Sequence, residues 1–133
     1  MPLEYDRRVT GRKLCILVVD DNKDICEIMN GVLTRGGHAV TSVDSGAEAI
    51  EFAGKEDFDL VLCDLLMPDV QGYDVVKALN KLDKIPKIGL MTGWAELKSI
   101  DEKGFEVDFI LRKPFKHAEL AKHIDELFSA DSK

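Results

Sequence analysis

The chain has 133 residues, with 18 Lys plus Arg against 25 Asp plus Glu, a formal charge of −7 and an apolar fraction of 45%. That length suits one compact domain, and the apolar content excludes a disordered chain. The acidic excess excludes a surface built for nucleic acid or anionic membranes, no apolar run approaches the ~18 residues of a membrane span, and the N-terminal MPLEYDRRVTGRK carries no signal-peptide pattern.

Short apolar runs alternate with amphipathic segments along the chain. Leu14 to Val19 is a continuous apolar run whose Val and Ile content predicts a strand buried on both faces. Ile25, Ile28, Met29, Val32 and Leu33 recur at helical spacing, and Gly36-Gly37 ends that helix. His38 to Val43 reads as a weaker strand. Ser45 with Glu48 has the form of a capping box, opening a helix through Ala49, Ile50 and Ala53. A strand at Leu60 to Cys63, a helix at Gly72 to Leu79, a strand at Lys87 to Met91 and a helix at Trp94 to Glu102 follow. The last pair is a strand at Val107 to Leu111 and a helix whose face is Leu120, Ile124, Leu127 and Phe128.

Five βα units in succession predict an α/β fold, a doubly wound parallel sheet with helices on both faces. Right-handed crossovers bring the C-terminal ends of all strands to one edge, where such sheets bind ligands. The unit occupies residues 13–128, between a leader of residues 1–12 and a tail of residues 129–133, so no output domain is expected. Cys15, Cys26 and Cys63 have no CxxC spacing and form no metal pattern with the three histidines. They are expected to be small buried hydrophobes of a reducing, cytoplasmic compartment.

The residues at the strand ends carry the chemistry. The first strand ends in Asp20-Asp21, the third in Asp64, the fourth in Thr92 and the fifth at Lys113; Asp44, after the second, has no evident role. Carboxylates brought within ~4 Å repel by about 4 kcal/mol per pair at an effective dielectric near 20, so such a cluster holds a proton or recruits a cation. A hard, oxygen-only site suits Mg²⁺, with Mn²⁺ as a substitute. A cation, the Lys113 ammonium and the Thr92 hydroxyl together could neutralise phosphoryl oxygens, and Asp64 could act as nucleophile to form an acyl phosphate. Read singly, these residues have plainer roles: helix capping for Asp20-Asp21 and Thr92, a turn for Asp64, a solvated surface for Lys113.

The strings VVDDN at 18–22, LVLCDLLMP at 60–68, MTG at 91–93 and KPF at 113–115, with QG at 71–72, resemble the receiver domains of two-component response regulators, of the single-domain chemotaxis-regulator type. The resemblance implies a flavodoxin-like (βα)5 fold with strand order 2-1-3-4-5. It implies that Asp64 is the phosphoacceptor, that Asp20, Asp21, Asp64 and the Leu66 backbone carbonyl surround Mg²⁺, and that Thr92 and Lys113 engage the phosphoryl group. It also implies a cis bond before Pro114. The expected partners are a histidine kinase or histidine phosphotransfer protein, docking near the first helix and the loop after Lys113, and a downstream protein of unknown identity. Neither nucleic acid nor membrane is expected as a partner. The protein is expected to catalyse only its own phosphorylation and dephosphorylation.

The chain departs from the family pattern in three respects. Where many receivers carry a mobile aromatic, three residues before the lysine, this chain has Ile110, and its aromatic is Phe109. Strand alternation turns the two to opposite faces unless a bulge intervenes, which puts the Thr–aromatic switch in question. Leu66 and Trp94 stand at positions that flank the path of hydrolytic water, and two large apolar groups there predict slow autodephosphorylation. Gly93 replaces the commoner alanine. The output surface is expected around Trp94 to Glu102, Ile110, Arg112 and the Lys116–Lys122 face. The alternative is a phosphorylation-independent binding module on the same fold. A phosphatase-like hydrolase ranks last, because Leu66 leaves it without a second acid.

Overall fold

A computed structural model describes residues 13–65, 72–93 and 107–128. In chain order the elements are β1 (Cys15–Val19), α1 (Lys23–Arg35), β2 (Ala39–Val43), α2 (Gly46–Lys55), β3 (Leu60–Asp64), α3 (Gly72–Leu79), β4 (Lys87–Thr92), β5 (Phe109–Arg112) and α4 (His117–Phe128). The strands form one parallel sheet in the order β2-β1-β3-β4-β5. The predicted helix at Trp94 to Glu102 and the two terminal segments lie outside the described residues.

Strand alternation sorts the apolar residues into two cores. Leu17, Val19, Val61, Cys63, Ile88 and Leu90 face one side and pack against α2 and α3 through Ala49, Ala53, Val75, Val76 and Leu79. Ile16, Val18, Leu60, Leu62, Met91, Phe109 and Leu111 face the other, against Met29, Val32 and Leu33 of α1 and Leu120, Ile124 and Phe128 of α4. The central strands are therefore covered on both sides, which is why Leu14 to Val19 reads as an unbroken apolar run.

Local chemistry sets the element ends. Asn22 caps α1, its side chain accepting from the N–H groups of Asp24 and Ile25. Gly37, at φ 94°, reverses the chain after α1 in the left-handed region that favours glycine. Ser45 caps α2 by accepting from the Glu48 N–H. The buried His38 accepts the Leu14 N–H on Nδ1 at 2.9 Å, which fixes the entry to β1.

Three details differ from the sequence reading. Ile28 is 53% exposed rather than core, because the buried stripe of α1 centres on Met29, Val32 and Leu33. Cys15 is exposed, since it opens β1 at the N-terminal edge of the sheet, where that face is not covered. β5 begins at Phe109 rather than Val107. There the Asp108 carboxylate, rather than a strand carbonyl, accepts the Ile88 N–H at 2.7 Å, while the Asp108 N–H donates to the Ile88 carbonyl.

Candidate functional site

The C-terminal ends of β1, β3, β4 and β5 bring Asp20, Asp21, Asp64, Thr92 and Lys113 to one edge of the sheet. Carboxylate oxygens of Asp20, Asp21 and Asp64 all lie within 4.8 Å of one another. Asp20 and Asp64 are buried and Asp21 is exposed, so the cluster opens to solvent on the Asp21 side. The Lys113 ammonium reaches into it from the far side, 3.0 Å from Asp20 Oδ2 and 3.5 Å from Asp64 Oδ1.

One ammonium against three carboxylates leaves an excess of negative charge. Burial acts to lower the Lys113 pKa, but the hydrogen bond to Asp20 and the charges of Asp64 and Asp20 outweigh it, and the group stays above its ordinary value. The oxygen-only donor set, its negative excess and its solvent-facing side fit a divalent cation such as Mg²⁺, which keeps several waters. Asp20, Asp21 and Asp64 are the residues that would hold it.

The backbone supports each group. Asn22 takes over the capping of α1, so neither Asp20 nor Asp21 is spent on it. Asp20 Oδ1 accepts from the Asn22 N–H at 2.9 Å. The Leu65 N–H donates to the Met91 carbonyl, and the Gly72 N–H to the Leu65 carbonyl, which ties the turn after Asp64 to β4 and α3. A Cβ at Gly72 would fall on the backbone of Asp64 and Leu65, so this contact needs glycine. The Lys113 N–H donates to the Thr92 carbonyl at 2.6 Å, and the Lys113–Pro114 bond is cis, as the resemblance implies. Thr92 is buried, with its hydroxyl donating to the Gly93 carbonyl at 3.3 Å.

Cys26 is a neighbour of the site that the sequence reading did not single out. Its Sγ lies 3.2 Å from the Asp20 carbonyl. Burial first, and the Asp20 charge second, hold this thiol above its ordinary pKa. The only sequence signal is helical spacing, which puts Cys26 one turn after the Asn22 cap. Cys63 is buried beside Asp64 and its thiol is likewise pushed up, chiefly by burial.

At the end of the sheet, β5 alternates without a bulge. Phe109 and Leu111 point inward, and Ile110 and Arg112 outward. Phe109 packs beside Gly89, its strand partner in β4, and stacks on His123 of α4 with ring centroids 4.5 Å apart. Ile110 is 36% exposed. Leu66 and Trp94, named as a metal-ligand carbonyl and as a water-excluding group, lie outside the described residues.

A parallel five-stranded sheet with three acids, a hydroxyl and a lysine at its C-terminal edge is the build of a signalling receiver. The family model of the response regulator receiver domain matches residues 16–125, and the chain belongs to that family, part of the two-component signalling systems. It is 37% identical over 116 residues to the response regulator SaeR of Staphylococcus aureus, an alignment covering 86% of this chain and 50% of SaeR. The chain thus spans about half the length of this relative. Among solved structures it resembles the response regulator TrrA of Thermotoga maritima in complex with Mg²⁺-BeF, with a TM-score of 0.77 and 29% identity over 87% of this chain and 99% of that one. It also resembles the chemotaxis response regulator CheY4 of Vibrio cholerae, with a TM-score of 0.78 and 27% identity over 87% of this chain and 99% of that one. No helix among the described residues is long and apolar enough to cross a membrane.

Proposed function

We propose that this receiver accepts a phosphoryl group on Asp64 from a phosphohistidine of a sensor kinase or phosphotransfer protein, in a Mg²⁺-dependent reaction. The observation that carries the reading is the convergence of Asp20, Asp21 and Asp64 within 4.8 Å, with Lys113 reaching Asp20 and Asp64. The Asp64 carboxylate forms the new P–O bond, the P–N bond of the donor breaks, and the imidazole leaves with that electron pair. Lys113 is placed to exchange its contact with Asp64 for one with a phosphoryl oxygen, and the Thr92 hydroxyl to turn from Gly93 toward another. Bound Mg²⁺ would supply charge neutralisation of the remaining oxygens.

The donor docks, in this reading, on the open side of α1. Ile25, Ile28, Met29, Pro114 and Phe115 line a groove of about 440 Å³ beside Lys113. Ile28, exposed there, is the apolar anchor a partner helix would cover. The compartment is cytoplasmic, in keeping with three free cysteines.

Incubation with acetyl phosphate and Mg²⁺, followed by intact mass measurement, tests the acceptor. A gain of one phosphoryl group that Asp64→Asn abolishes is expected; an equal gain on Asp64→Asn overturns the assignment. The alternative, a phosphorylation-independent binding module, draws support from the inward-facing Phe109 and the aliphatic Ile110. It is the reading that remains if the wild-type chain gains no mass.

A further inference from the structure

We infer that Cys26 is a positioning residue for the acidic site, an inference that rests on the metal-dependent reading above. Its thiol holds the main-chain carbonyl of Asp20, and with it the turn that presents Asp20 and Asp21.

Three polar groups of Asp20 are fixed by other parts of the chain. Oδ1 accepts from the Asn22 N–H and Oδ2 from the Lys113 ammonium, which together orient the carboxylate. The backbone N–H donates to the Val43 carbonyl at 3.2 Å, continuing the β1–β2 ladder past the end of the strand. The carbonyl points toward α1, where Cys26 Sγ donates to it at 3.2 Å. The same sulfur has a longer contact, 3.9 Å, with the Val43 carbonyl. Cys26 therefore joins α1 to the ends of both β1 and β2 at the point where the acidic pair leaves the sheet.

This contact acts chiefly on Asp21. The Asp20 carbonyl belongs to the peptide that joins Asp20 to Asp21. Its orientation sets the direction in which Asp21 leaves the backbone. Asp21 is exposed, so packing does little to hold its carboxylate toward Asp20 and Asp64. A fixed peptide keeps the third oxygen donor near the other two before a cation arrives, and that preorganisation raises affinity. A thiol suits the position: the long C–S bond reaches the carbonyl from a half-buried place on α1, with a donor that is weak yet sufficient.

The test is Mn²⁺ binding to the full chain, followed by electron paramagnetic resonance of the free ion, with urea unfolding run in parallel. Cys26→Ala and the volume-filling Cys26→Val are expected to raise the Mn²⁺ dissociation constant roughly three- to tenfold, the scale of one lost hydrogen bond. Cys26→Ser, which keeps a donor, should return to within about twofold of the wild type. A purely structural role would lower unfolding stability in Ala and Val with Mn²⁺ affinity unchanged, and that result overturns the inference. So does a serine variant as impaired as alanine. Failure of the wild-type chain itself to bind Mn²⁺ removes the metal reading and this role with it. Normal wild-type binding with insensitive Cys26 variants sinks the role alone.

Discussion

Lys113 and Asp20, 93 positions apart in the chain, meet at 3.0 Å, with the carboxylate fully buried and the ammonium about a quarter exposed. The pair closes the sheet edge by joining the end of β1 to the end of β5. Lys113→Met removes the cation and leaves Asp20 buried beside two other carboxylates. Breaking such a pair costs about 3–5 kcal/mol when both charges are dry; partial exposure of Lys113 lowers the expected loss to about 1–3 kcal/mol, read from urea unfolding at neutral pH. The pH dependence follows from the raised pKa of the ammonium. Stability from a raised lysine is fully present below its unfolded pKa, near 10.5, and is lost as pH rises through the folded value. The wild type should therefore lose stability as pH rises from about 10.5 through the folded value, and Lys113→Met should lack this component of the loss.

Asp21 is the acid whose removal should separate stability from function. It sits within 4.8 Å of Asp20 and Asp64, yet the Lys113 ammonium contacts only the latter two. Asp21→Asn keeps the shape and removes its like-charge repulsion with both Asp20 and Asp64, so the metal-free protein should melt at a higher temperature. The same change removes a charged oxygen donor, and Mn²⁺ affinity should fall by at least about tenfold. Thermal unfolding in the presence of a chelator and Mn²⁺ titration measure the two effects. A lower melting temperature without metal would show that repulsion does not dominate this cluster.

The sheet and most of the site are legible in the sequence because they depend on short-range pattern. A strand covered on both faces must be apolar throughout, as Leu14 to Val19 is, and parallel βα units must put their strand ends on one edge. Acids at the ends of β1 and β3 and Lys113 after β5 therefore meet whatever the details of packing. What the sequence conceals depends on where neighbours stop. Ile28 fits the apolar period of α1 as well as Met29 does, and only the position of the Pro114–Phe115 loop leaves it on the rim of a groove. Cys15 lies in an apolar run but opens at the uncovered sheet edge. The link from Cys26 to Asp20 joins a helix to a strand end through a weak donor, and no residue pattern announces it.

Phe109 and Gly89 form a matched pair across β4 and β5. A Cβ at Gly89 would fall on the Phe109 ring and stand 3.0 Å from Leu62 Cδ2, while His123 stacks on the same ring. Gly89→Ala should therefore cost about 1–3 kcal/mol by overpacking. Phe109→Leu in the same chain relieves the clash, so the two changes should couple by roughly 1 kcal/mol or more in a double-mutant cycle of urea unfolding. Additive effects would mean that the ring moves aside freely. The pair has a functional consequence. An aromatic packed beside Gly89 and stacked on His123 is poorly suited to swing outward.

Three helical glycines should respond to alanine with opposite signs. A Cβ at Gly54 meets nothing within 4 Å, and at Gly31 it meets only the end of the flexible Arg35 side chain, at 3.6 Å. Neither has a positive φ, so alanine fits both and narrows the unfolded ensemble. Gly31→Ala, inside α1, should stabilise by about 0.5–1 kcal/mol; Gly54→Ala, near the end of α2, should do so by less. Gly72 opens α3 against the end of β3, where a Cβ would lie 2.7 Å from the Leu65 carbonyl oxygen and meet Asp64 backbone as well. Backbone cannot yield as a flexible side chain does, so Gly72→Ala should destabilise by about 1–3 kcal/mol. It should also weaken Mn²⁺ binding, because the backbone that must shift is that of Asp64 itself and of Leu65. A Gly72→Ala protein with wild-type stability and Mn²⁺ affinity would show that α3 can slide away from the site without disturbing it.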